Sequence, residues 1–158
     1  MDTICRCQTV CFTGHREIIH SNIAAMLDSL LITLIEKGYY YFLAGGAFGF
    51  DSEASLSILR LQEKHPHIKL ILILPFQKQS ANWAVEQQEL YEKIKNRATE
   101  VLYVSEKYTR GCFHARNRKL VDNADLCVAY HIKQTGGTAY TAGYAKQKGL
   151  EIINIVDL

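Results

Sequence analysis

The run Ile68-Lys69-Leu70-Ile71-Leu72-Ile73-Leu74 constrains the fold more than any other stretch of the chain. It is nearly continuous aliphatic and ends at Pro75. A membrane-spanning helix needs about 18–20 apolar residues, so this segment is far too short to be one. Successive side chains of a strand point to opposite faces, so a strand apolar at almost every position is covered on both sides. The remainder of the chain must therefore supply two covering layers.

Hydrophobic periodicity supplies them as helices alternating with strands. Gln8 to Phe12 is short and β-prone, and Ile18 to Lys37 carries apolar residues at helical spacing up to Gly38. Tyr39 to Leu43 reads as a strand, Ser52 to Lys64 as a helix, and Ile68 to Leu74 as the central strand. After a polar loop from Pro75 to Ala81, Trp83 to Arg97 reads as an amphipathic helix and Val101 to Val104 as a strand. A loop from Tyr108 to Arg118 runs into a helix that ends near Asn123; Leu126 to Tyr130 is the next strand. A glycine loop at Gln134 to Thr138 opens a helix to Lys148, and Ile152 to Val156 closes the chain as a strand. Such alternation with short turns predicts one α/β domain over residues 1–158: a Rossmann-like, three-layer arrangement with a mostly parallel sheet of about six strands.

Composition narrows the function. Lys plus Arg number 18 against 16 Asp plus Glu, a net charge of +2, which is little for a protein held on duplex DNA by a basic field alone. A local basic pocket remains compatible with it. The N-terminus, Met-Asp-Thr-Ile-Cys-Arg-Cys, lacks the apolar core of a signal peptide, so a cytoplasmic protein without a membrane partner is expected. The five cysteines are Cys5, Cys7, Cys11, Cys112 and Cys127. An odd number without an export signal predicts reduced thiols. Cys5, Cys7 and Cys11 share parity and would face one way on an extended strand, as small buried hydrophobes rather than metal ligands.

In an open parallel sheet, ligands bind beyond the carboxyl ends of the strands. Four loops at that edge are unusual. The first holds Gly14, His15 and Arg16, where a sharp glycine turn precedes a helix and an arginine is at hand for an anion. The second, Ala44-Gly45-Gly46-Ala47-Phe48-Gly49-Phe50-Asp51, packs three glycines into five residues and ends on a carboxylate able to cap the next helix or to accept from ligand hydroxyls. It matches neither the Gly-x-Gly-x-x-Gly dinucleotide fingerprint nor the Gly-Lys-Ser/Thr ending of a Walker loop. The third, Tyr108 to Arg118, concentrates Arg110, Arg116, Arg118 and His114; Asn117 lies among them. Arg116 and Arg118 cannot share a helix face, so one is expected toward a ligand and one toward solvent. The fourth, Gly136-Gly137-Thr138, offers N–H groups and a hydroxyl at a helix N-terminus, an arrangement suited to phosphate.

Taken together, Phe-Thr-Gly-His-Arg, Gly-Gly-Ala-x-Gly-x-Asp, Arg-Asn-Arg-x-x-Val-Asp-x-Ala-Asp and Gly-Gly-Thr-x-x-Thr-x-x-x-Ala resemble the YpsA-like group of the SLOG superfamily, over roughly residues 8–156. The resemblance implies a Rossmann-like fold and a nucleotide or nucleotide-derived ligand at the glycine-loop edge. Relatives in the superfamily include DprA, which binds single-stranded DNA, and the LOG enzymes, which cleave the N-glycosidic bond of nucleoside monophosphates. The LOG motif Pro-Gly-Gly-x-Gly-Thr-x-x-Glu is only partly present. Thr135 stands for the proline, and either register of the glycines puts Thr141 or Gly143 where the glutamate belongs. Glycosidic cleavage normally needs that carboxylate; Asp51 or Glu17 would have to replace it, and nothing in the sequence shows that either does.

The expectation is a binder of a nucleotide-like ligand, a sensor or regulator rather than a catalyst. Its site comprises Gly14, His15, Arg16, Gly45, Gly46, Gly49, Asp51, Arg116, Asn117, Gly136, Gly137 and Thr138, with no metal and no dedicated cofactor. A LOG-like hydrolase and a single-stranded nucleic-acid binder, with Tyr108 and Phe113 stacking bases beside Arg110 and Arg116, are the alternatives. Rossmann-like relatives often self-associate, so a homo-oligomer is a further expectation.

Overall fold

A computed structural model describes residues 5–158. Six parallel strands form one sheet: β1 (Thr9–Gly14), β2 (Tyr41–Ala44), β3 (Lys69–Leu74), β4 (Glu100–Tyr103), β5 (Leu126–Tyr130) and β6 (Glu151–Asn154). The helices between them are α1 (Ile23–Glu36), α2 (Phe50–Leu61), α3 (Val85–Arg97), α4 (Cys112–Asp122) and α5 (Gly137–Gln147). The Rossmann-like α/β expectation holds, and every strand pair is parallel.

The spatial order is β4-β3-β2-β1-β5-β6. The chain steps outward from β1 to β4, then α4 carries it back across the sheet to β5 on the other side of β1. That reversal puts α1, α2 and α3 on one face and α4 and α5 on the other. Alternation along β1 sorts the cores accordingly. Val10 and Phe12 pack with Leu27, Leu31, Ile58 and Ile94, whereas Cys11 packs with Leu120, Val121 and Ala145. The central strand β3 divides likewise: Leu70, Leu72 and Leu74 go to the first core, Ile71 and Ile73 to the second.

Two expectations fail locally. The first helix begins at Ile23 rather than Ile18. The segment before it is held by Tyr130, whose ring is fully buried and whose hydroxyl needs partners. The Ile19 N–H donates to Tyr130 Oη at 3.1 Å, and Oη meets His20 Nδ1 at 2.7 Å. Tertiary hydrogen bonding thus overrides helical periodicity, and Ile19 is left exposed.

The second concerns the cysteines. Cys11, Cys112 and Cys127 are free and buried. Cys5 and Cys7 instead are exposed and joined by a disulfide. They lie ahead of β1, around a short 3-10 turn at Arg6–Gln8, so they share no strand face with Cys11. The turn brings their Cα atoms to 5.4 Å, inside the bridging range.

No helix among the described residues is long and apolar enough to cross a membrane.

Candidate functional site

The reversal of strand order between β1 and β5 opens a crevice at the carboxyl edge, as expected of a topological switch point. A pocket of about 570 Å³ occupies it. Its walls are the end of β1 through Glu17, Ala47 and Asp51 at the start of α2, the inner face of α4, and the stretch from Lys133 to Thr138 that opens α5. Such a volume lies within the usual range for small-molecule sites, roughly 300–1,000 Å³.

Arg116 is the centre of its polar wall. It is only 6% exposed, yet its guanidinium borders the pocket. Nη1 donates to the Gly45 carbonyl and Nε to Asn117 Oδ1 at 2.7 Å. Burial lowers the Arg116 pKa from its ordinary value, while the Asp51 carboxylate opposes that shift. Arg118, two positions on, points outward and donates to the Tyr140 hydroxyl at 3.0 Å.

Asp51 is not the cap of α2. Gly49 occupies that position, and Asp51 sits in the first turn with its side chain folded back on the preceding loop. Oδ2 accepts the Ala47 N–H at 3.2 Å. Burial pushes its carboxyl up to about 6, against the pull of Arg116, of N–H groups of Ala47 and Gly45, and of Arg16. A carboxyl poised there exchanges its proton near neutrality and is able either to accept from a ligand hydroxyl or, protonated, to donate.

His15 has a more structural role than its exposure suggests. Its Nε2 accepts the N–H groups of Ile132 and Lys133 at 2.9 and 3.0 Å, pinning the β5–α5 loop to the β1 loop. Those bonds require Nε2 to be unprotonated. Burial, with His131 and Lys133 nearby, lowers its pKa. Arg16 lies with Cζ 4.7 Å over the Phe48 ring.

Of the twelve residues singled out in the sequence, Gly14, His15, Arg16, Asp51, Arg116, Asn117, Gly136, Gly137 and Thr138 line the pocket. Gly45, Gly46 and Gly49 do not. Gly45 and Gly49 have packing reasons to be glycine. A Cβ on Gly45 would meet Arg116 Nη1 at 2.6 Å, and one on Gly49, whose φ is +87°, would strike the Arg16 backbone. Gly46 accepts from Gln79 Nε2 at 3.4 Å. Lys133, which the sequence reading did not single out, also lines the pocket, as does His114 from the basic third loop. Lys133 immediately precedes the glycine loop, and that adjacency was its one visible signal.

Three cationic residues, Arg16, Arg116 and Lys133, thus line the pocket together with two carboxylate residues, Asp51 and Glu17. The first turn of α5 adds a positive dipole end and, at Thr138, a buried hydroxyl-bearing residue. Thr141, at one register of the LOG glutamate, spends its hydroxyl on the Gly137 carbonyl at 2.8 Å. Among the described residues, no group of three or more His, Cys, Asp or Glu is arranged to hold a metal ion.

The model of the YspA SLOG family, YpsA, matches residues 10–155. The chain belongs to the YspA SLOG family. The SPbeta prophage-derived protein YoqJ of Bacillus subtilis (strain 168), a protein described as uncharacterized, is 30% identical, with 76% of this chain and 80% of YoqJ covered. Among solved structures, this YspA SLOG family fold is similar to DNA processing protein A (DprA) of Streptococcus pneumoniae, with a TM-score of 0.69 at 18% identity over 92% of the chain. DprA of Helicobacter pylori, whose structure describes a single-stranded DNA binding mode, gives 0.66 at 21% identity over 91%. The chain spans 49% of the first DprA and 63% of the second.

Proposed function

We propose that the chain binds a nucleotide or nucleotide-derived ligand in the β1–β5 crevice and acts as a sensor or regulator. The observation that carries this reading is the buried Arg116 guanidinium bordering the same pocket as the first turn of α5. A cation desolvated at a ligand-sized pocket, beside free helix N–H groups, favours a dianionic phosphate over a neutral ligand. Arg16 and Lys133 add to the field. Asp51 and Asn117 are the groups on hand for ribose hydroxyls or a base edge.

The mixture of charges makes a ligand with both parts a better fit than a bare anion. Two carboxylates in the lining would repel phosphate alone, but they suit the hydroxyls of a sugar attached to it. Neither register of the LOG motif supplies a catalytic glutamate, so binding rather than glycosidic hydrolysis is the reading adopted.

Titration calorimetry against mononucleotides, nucleotide sugars and cyclic dinucleotides tests it. Binding tighter than about 1 mM, a standard free energy of about −4.1 kcal/mol, is expected for at least one of them and is weakened by Arg116→Ala. No binding by any of them would refute the proposal.

A second reading, a single-stranded nucleic-acid binder, is favoured by Tyr108 and Arg110, exposed on the loop that leads to Arg116, and by the ligand of the H. pylori DprA. It predicts oligonucleotide affinity that falls steeply with salt.

A further inference from the structure

Three aromatic rings gather beside the pocket, from three different segments. Phe76 follows β3, Tyr108 follows β4, and Phe113 lies in the first turn of α4. Phe76 meets Tyr108 and Phe113 edge-on, at centroid distances of 5.7 and 5.9 Å and interplanar angles of 82° and 86°. Tyr108 and Phe113 are 6.4 Å apart. Phe113 also lines the pocket, and Arg116 Cζ lies 5.8 Å from its ring centre.

A cluster that merely braced two loops would bury its rings. Phe76 and Phe113 are half-buried, with Phe76 held edge-on between the other two rings. Tyr108 is not: 64% of its surface stays in water. An exposed ring beside a pocket-lining ring, the two tilted by 54°, makes an apolar step leading out of a polar cavity, with the Tyr108 face open to solvent. Phe48, next to the pocket-lining Ala47, offers no such surface. Arg16 covers its ring, and Trp83 packs against it edge-on at 5.1 Å.

We propose that the exposed Tyr108 ring, flanked by Phe113, is the stacking platform for the base of the ligand whose phosphate lies beside Arg116. This rests on the nucleotide reading above and adds where the base goes. Aromatic stacking suits any nucleobase because each presents a π-face, so the platform supplies affinity with little base selectivity. Base choice would then fall to polar groups such as Asn117.

The test compares AMP with ribose 5-phosphate, which differ only by the base, on wild type, Tyr108→Ala and Tyr108→Trp. Wild type is expected to hold AMP about 5- to 100-fold more tightly than ribose 5-phosphate. Tyr108→Ala should erase most of that advantage and leave ribose 5-phosphate binding unchanged; Tyr108→Trp should keep it. The exposed position of Tyr108 makes both variants compatible with folding. If ribose 5-phosphate binds and AMP binds no better, the platform is wrong and the pocket reading stands. An AMP advantage that survives Tyr108→Ala also overturns the platform. If wild type binds neither, the platform falls, and the pocket reading is decided by the wider set of nucleotide-derived ligands named above.

Discussion

The guanidinium of Arg116, on α4, donates to the main-chain carbonyl of Gly45, at the end of β2 and 71 residues away in sequence. The bond ties the second glycine loop to the helix across the sheet edge, and it holds the arginine against the pocket. Structure and binding are therefore coupled at one side chain.

Arg116→Ala should destabilise the protein as well as weaken binding. The Gly45 carbonyl and Asn117 Oδ1 would lose their donor, and Asp51 its nearest buried cation. An orphaned buried group costs about 1–3 kcal/mol. For a chain of this size the thermal midpoint should drop by roughly 2–12 °C. Arg116→Lys keeps the charge but not the two-pronged geometry and should fall in between. Thermal unfolding of the three proteins checks this, and equal midpoints would contradict it.

Gly45→Ala should act on binding through Arg116. The new Cβ would lie 2.6 Å from Nη1 and 2.9 Å from Cζ. A flexible side-chain end yields more readily than backbone, so the guanidinium moves and the fold persists. Pyrophosphate affinity should fall about tenfold, the loss of one charge-assisted hydrogen bond. In an Arg116→Ala background the same change should have little effect, a non-additivity that a double-mutant cycle detects.

Asp51 should impose a pH dependence of definite sign. Its carboxyl is raised in the folded state from 3.8 to about 6. Such a group contributes stability that is complete below 3.8 and is lost as pH rises through about 6. Urea unfolding of wild type relative to Asp51→Asn should show a difference falling by about 3 kcal/mol across that window, because each pH unit between the unfolded and folded values is worth about 1.36 kcal/mol. Binding of sulfate, which does not titrate there, should tighten as pH falls through about 6 and should lose that trend in Asp51→Asn. A flat sulfate profile in wild type would count against a titrating Asp51.

His15 should make the β5–α5 loop sensitive to acid. Its folded pKa is depressed below the ordinary 6.5, so its contribution is present above 6.5 and is lost as pH drops through the lower folded value. Protonated Nε2 cannot accept from Ile132 and Lys133. Hydrogen exchange at those two amides, corrected for intrinsic rate, should accelerate on acidification relative to the neighbouring strand. His15→Ala should show the faster exchange already at neutral pH.

Much of the site was legible because its signals are local. The Arg116 and Arg118 spacing separates their directions on any helix, and the structure turns the first inward and the second outward. The glycine clusters were visible too, but their meaning was not. Gly45 and Gly49 looked like residues placed to admit a ligand. They instead admit the Arg116 side chain and the Arg16 backbone. A sequence reveals that a Cβ is missing, not which group fills the space.

The sequence alone determined the order of elements, the burial of β3 on both faces and the gathering of four polar loops at one edge. Periodicity dictates helix or strand residue by residue, and parallel strands joined by helices put alternate loops at the same end. Only the tertiary structure decided which loops touch. The order β4-β3-β2-β1-β5-β6 sets β1 beside β5 and leaves the crevice there. It delivers the Tyr130 hydroxyl to Ile19, 111 residues away, and so turns a helical pattern into a loop at the pocket's edge. Buried hydrogen-bonding groups must find partners wherever the sheet brings them, and that demand is invisible to any local pattern.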